Sequence, residues 1–262
     1  MRSHPSKMFV LGFLYAVIGV ALAFYVFRAY ASLSSVFLTS MPLIVVMYRA
    51  LKFEEDTERS FCYKFPRIRM AEYFILCEHV KVLVFFIYLF LGMVAGFALM
   101  YCALPENISN ELSLTQMETI RGIRSQVTGN VTKPAFIQVV FENNMRVLAF
   151  CILFSFLYGA GAIFILTWNA SVIAAAVVEH SSVHFFIHGI PEILAYFMGA
   201  LAGGIISVAV ANHHYKTPEF RRIVADSIDL IVLSILLLVV AALTEAYNFE
   251  VMDWLVKSLG LG

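Results

Sequence analysis

The residue types best suited to chemistry fall in one window of this 262-residue chain, Glu179-His180-Ser181-Ser182-Val183-His184-Phe185-Phe186-Ile187-His188-Gly189-Ile190-Pro191-Glu192. Three of the seven histidines lie there, and His180, His184 and His188 recur every four residues, the spacing that aligns side chains in one row of a helix. Such a row admits three chemistries. A histidine pair at i and i+4 with a carboxylate can hold zinc or another divalent metal. All three histidines cannot share one ion on a straight helix, because i to i+8 spans about 12 Å. The set would therefore be His184, His188 and Glu192, with Gly189 folding the carboxylate back. The same row could line a wet path and exchange protons or ions near neutral pH. It could also be a buried hydrogen-bonded network that holds a helix break.

Hydrolysis would need more than ligands. The chain has no His-Glu-x-x-His, no Gly-x-Ser-x-Gly and no glycine-rich loop ahead of a lysine. Ser181, Ser182 and His184 are neighbours without a nameable orienting carboxylate. A second polar patch is Phe141-Glu142-Asn143-Asn144-Met145-Arg146. Asparagines ahead of an apolar run either cap its first amides or reach across to the His/Glu window.

The elements that must position these groups follow from composition. The chain is 61% hydrophobic and 14% charged, with mean hydropathy +0.85. A water-soluble chain needs about 25% charged residues to cover its exterior, so this exterior faces lipid. The apolar runs are too long for barrel strands of about 9–11 residues and fit helices of about 20. The expected fold is all-α, a polytopic transmembrane bundle of six or seven helices in one integral membrane domain, 1–262. Candidate spans are 8–28, 33–51, 79–103, 147–167, 169–188, 191–211 and 224–246. Gly189 and Pro191 interrupt the stretch 169–211, which reads as two full spans or as a re-entrant segment near 169–192 followed by one span.

Lysine and arginine favour the cytoplasmic side. They crowd 49–72 (Arg49, Lys52, Arg59, Lys64, Arg67, Arg69) and 212–222 (Lys216, Arg221, Arg222), and Arg2 and Lys7 stand in the N-terminal tail. The expectation is a multi-pass protein of the cell membrane with its N-terminus and a loop at 49–78 in the cytoplasm. A second loop, 104–138, and the C-terminus would face out. Trp168 and Tyr247 are placed at span ends. The outer loop carries two glycosylation triplets, at Asn107 and Asn130; a third at Asn169 falls on the inner side and is expected to stay bare. Cys62, Cys77, Cys102 and Cys151 have no paired spacing and read as small core residues. Zero net charge gives no case for nucleic acid.

The late spans are rich in small residues, and Gly199-x-x-x-Gly203 lets helices approach closely, within the chain or in a homo-oligomer. Asn143-Asn144 ahead of a span, Gly159-x-Gly161 within it, Asn169 at its end, and His188-Gly189-x-x-Glu192 opening a Gly/Ala-rich helix together resemble the stage II sporulation protein M family. The resemblance covers roughly 141–245. It departs from the family pattern at Asn169-Ala170 and Gly199-Ala200, where the family tends to have Asn-Gly and Ala-Gly. It implies a polytopic membrane protein with a shared polar core that includes Asn143, Asn144, His188 and Glu192. In sporulating bacteria it implies a scaffold that holds cell-wall hydrolases, so the expected partners are the bilayer and an envelope protein or enzyme. The polar core of this chain is accordingly Asn143, Asn144, Glu179, His180, His184, His188 and Glu192. A metal-dependent intramembrane hydrolase and an ion or solute transporter are the competing readings of the same row.

Overall fold

The computed structural model describes residues 5–64, 73–127, 133–158, 161–180, 184–211 and 218–258. Its helices are α1 (Pro5–Val26), α2 (Ala31–Lys64), α3 (Tyr73–Ala103), α4 (Glu106–Leu112), α5 (Leu114–Val127), α6 (Lys133–Tyr158), α7 (Ala162–His180), α8 (His184–Ala211) and α9 (Pro218–Ser258). No strand occurs among the described residues. Seven helical stretches are long and apolar enough to cross a membrane: Pro5–Val26, Arg28–Ala50, Val82–Ala103, Ile137–Phe156, Ala162–Glu179, Gly189–Ala211 and Ile223–Glu245. The chain is an all-α polytopic bundle with seven such helices, and 169–211 supplies parts of two of them.

The solvent for which this fold is built can be read from α1. Gly12, Ala16, Gly19 and Ala23 are buried, whereas Val10, Leu14, Ile18 and Leu22 face outward. The reverse of a water-soluble helix, small residues inside and large apolar ones outside, is what lipid permits. On α9 Ile228, Val232, Leu236 and Val240 likewise face outward, while Ser227, Ser234 and Ala241 are buried beside Ile223, Leu230 and Leu238.

Close approach is set by glycine. A Cβ on Gly12 would strike the carbonyl oxygen of Leu89, and one on Gly92 would strike that of Phe9. Backbone meets backbone between α1 and α3. Gly203 does the same for α6 and α8, because its Cβ would meet the carbonyl oxygen of Ile152. The Gly199-x-x-x-Gly203 row is thus used within the chain.

Several expected boundaries move. The fourth span begins earlier than 147, and the break that follows comes before Ala162 instead of at Trp168. Trp168 and Asn169 therefore lie inside α7, where the Asn169 carboxamide donates to the Ile165 carbonyl at 2.8 Å. Gly189 and Pro191 do not end a helix either; both belong to α8. A proline is tolerated there because nearby groups in a bundle re-satisfy the freed carbonyl. The expected cytoplasmic loop is helical as far as Lys64.

The expected outer loop, 104–138, contains α4, α5 and the start of α6. Its anchor is Gln116, which is completely buried. Ser32 Oγ donates to Gln116 Oε1 at 2.6 Å, and Gln116 Nε2 donates to Ser171 Oγ at 3.1 Å. The Thr115 amide donates to Ser32 Oγ at 3.2 Å. One side chain thus ties α5 to the beginning of α2 and the middle of α7.

Candidate functional site

Alternate crossing puts the beginnings of α6 and α8 and the end of the α9 span on one side of the bundle, the side that carries α4 and α5. Along α6, Asn144, Leu148, Cys151 and Ser155 are buried in a row at helical spacing. That row faces α8, where Gly199 lies against Leu148 and Gly203 against Ile152 and Ser155. Asn144 heads the row. Glu192 precedes Gly199 by two turns on α8, so the tight packing below brings the two polar side chains face to face.

Asn144 is 7% exposed, and its Nδ2 donates to Glu192 Oε1 at 2.5 Å. Asn143 Nδ2 reaches Asn144 Oδ1 at 3.4 Å. Glu245, the last residue of its span, approaches from α9 closely enough for its charge to interact with that of Glu192. Tyr196, one turn below Glu192 on α8, is buried. Three helices therefore converge on two carboxyl groups, two carboxamides and a phenol.

The exposed side of α6 locates this junction. Gln138, Glu142, Asn143 and Arg146 are exposed, with Gln138 Nε2 donating to Glu142 Oε1 at 2.8 Å and Arg146 at 3.9 Å from Glu142. Beyond them the exposed residues become Phe150, Leu153, Phe154 and Phe156. The exterior thus changes from polar to apolar just past Arg146, and Asn144 lies beside that change. Asn143 and Asn144 are well inside α6, so they cannot cap its first turn; those amides belong to residues near Lys133.

The remaining expected site residues fall elsewhere. His180 is the last described residue of α7 and His184 the first of α8. The side chains of His180, His184 and His188 lie outside the described residues, and with them the His184–His188–Glu192 metal set. Among the described residues no group of three His, Cys, Asp or Glu is arranged to hold a metal. Glu179 is exposed at the end of the α7 span and lines a different cavity, bounded by α3, α4 and α5. Asn107 is exposed on α4, and Asn130 lies outside the described residues. Cys151 is buried, as expected of a core thiol, but Cys102 is exposed.

Sequence reasoning missed Glu245 and Tyr196. Glu245 stood at the predicted end of a span, where an acid needs no special explanation. Tyr196 is one aromatic among many. A search for acidic residues within the last turn of each span would have found Glu245.

The family model described as Stage II sporulation protein M matches residues 82–248, a stretch that runs from α3 to α9 and includes every member of the Asn144–Glu192 junction. No curated protein and no solved structure matches the chain. The match spans more than half of the sequence, and the chain belongs to the stage II sporulation protein M family.

Proposed function

We propose that this integral membrane protein of the stage II sporulation protein M family is a scaffold that assembles an envelope protein or enzyme at the cell membrane. One observation carries the reading: α2 and α9 continue as unbroken helices past their spans, to Lys64 and Ser258. At 1.5 Å per residue each extension reaches about 20 Å beyond its span. Under the charge distribution of the short loops, α2 extends into the cytoplasm and α9 outward, with the N-terminus inside. An extended helix continuous with a packed span can hold a partner at a fixed height. In this reading the Asn144–Glu192 junction is a packing lock that sets how α6, α8 and α9 meet.

Photo-crosslinking in cells tests the role. Probes placed along 51–64 and 246–258 of the full chain should give discrete protein adducts at one or both extensions. Adducts with lipid alone would overturn it. The paired carboxyl groups Glu192 and Glu245 favour a second reading, proton or ion passage through the junction. That reading requires flux in proteoliposomes that disappears in Glu192→Gln.

A further inference from the structure

A pocket of about 640 Å³ opens where the spans of α3 and α7 end, roofed by α4 and α5. Its size falls in the range of small-molecule sites, roughly 300–1,000 Å³. It is separate from the Asn144 junction and does not depend on the scaffold reading. The wall carries charges of both signs, Glu106 and Glu179 on one hand and Arg121 on the other, with the Asn110 carboxamide between α4 and the opening. Tyr101 belongs to the same wall, and its buried hydroxyl has no hydrogen-bond partner among the described residues. A buried hydroxyl of that kind calls for a polar partner, and none of the described residues supplies one.

Location and charge together select the ligand. The spans Val82–Ala103 and Ala162–Glu179 finish at this level, so the pocket lies where headgroups meet water. A wall with carboxylates and a guanidinium suits a group that is itself a zwitterion, its ammonium donating to Glu106 and its phosphate accepting from Arg121. From this we infer that the pocket binds a phosphoethanolamine group, the headgroup of a zwitterionic membrane lipid. A choline headgroup has the same charges but no N–H to donate, and the anionic headgroup of phosphatidylglycerol lacks the ammonium. The roof would then lie over a lipid, with α5 held by the bonds of Gln116 and α4 by the Ser109 hydroxyl, which donates to the Tyr101 carbonyl.

Cys102 supplies the readout, because it lines the pocket and is exposed while Cys151 is buried. The full chain with Cys62→Ser and Cys77→Ser is placed in nanodiscs, and the rate of maleimide labelling at Cys102 is measured. Phosphatidylethanolamine should slow labelling about five- to tenfold relative to phosphatidylcholine or phosphatidylglycerol. Arg121→Glu, an exposed substitution, and Asn110→Trp, which fills the opening, should each abolish the difference. Soluble phosphoethanolamine added to phosphatidylcholine discs separates the sources. Protection by the soluble compound makes the headgroup alone sufficient, whereas protection only by the lipid assigns the site to the bilayer. Equal rates in all three lipids, or a difference that survives both substitutions, would overturn the inference.

Discussion

The α1–α3 contact and the α6–α8–α9 junction solve one problem in two ways. Between α1 and α3, glycines at Gly12, Gly92 and Gly96 remove side chains until backbone touches backbone. At the other junction Gly199 and Gly203 bring α6 and α8 equally close, but a polar pair, Asn144 and Glu192, closes the end of the contact. Lipid gives no hydrophobic force between helices, so shape and dispersion hold the first contact. The second has the same shape term and a directional bond in addition. Shape alone tolerates sliding by a turn; a directional hydrogen bond between two side chains tolerates only one register. The comparison therefore assigns adhesion to α1–α3 and register to α6–α8.

The largest effect should come from breaking shape. Gly92→Leu drives a side chain into the Phe9 carbonyl, which cannot move aside. Thermal unfolding in detergent should show a loss of about 3 kcal/mol or more. A stable Gly92→Leu protein would mean that the α1–α3 contact is looser than described.

Next comes the polar bond. Glu192→Ala leaves the buried Asn144 amide unpaired and should cost about 1–3 kcal/mol. Glu192→Gln keeps an acceptor oxygen and should retain most of that stability, by the same unfolding assay. If Gln is as damaging as Ala, the carboxyl group does more than accept a hydrogen bond, and the passage reading gains.

Gln116→Leu asks whether polar fastening extends to the roof. It removes the bonds to Ser32 and Ser171, so limited proteolysis within 104–132 should speed up by about tenfold, the equivalent of roughly 1.4 kcal/mol of local opening. Unchanged cleavage would show that apolar contacts alone hold α5. The smallest effect belongs to Arg146→Ala, whose 3.9 Å pair with Glu142 is largely exposed. Its cost should stay below about 0.5 kcal/mol in the unfolding assay; a larger loss would place Arg146 within the lock.

Much of this fold is legible in the sequence, because a span announces itself by about 20 apolar residues whatever packs around it. The same property hides register. An α6 that is apolar on every side below Arg146 has no stripe to show which face meets α8, so Asn143-Asn144 reads as a helix start when the helix begins earlier. Gly189 and Pro191 read as a break for a similar reason: their usual meaning comes from water-exposed helices, and in a bundle neighbours can satisfy what they disrupt. The inward Asn144 and Glu192 were visible as polar residues in apolar surroundings. Contact between their two patches was one of two readings, but which side chains pair was not legible, since 48 positions separate them and only packing joins them. Gln116 was invisible for the opposite reason: a lone glutamine in a polar stretch carries no mark of burial until the partners Ser32 and Ser171 are in place.

A double-mutant cycle on Asn144→Ala and Glu192→Ala, read by reversible unfolding of the full chain in bicelles, tests the register assignment most directly. The account predicts a coupling of about 1 kcal/mol or more, with each single variant nearly as unstable as the double. Additive losses, with no coupling, would contradict it, because two residues that lock α6 to α8 through one bond cannot contribute independently.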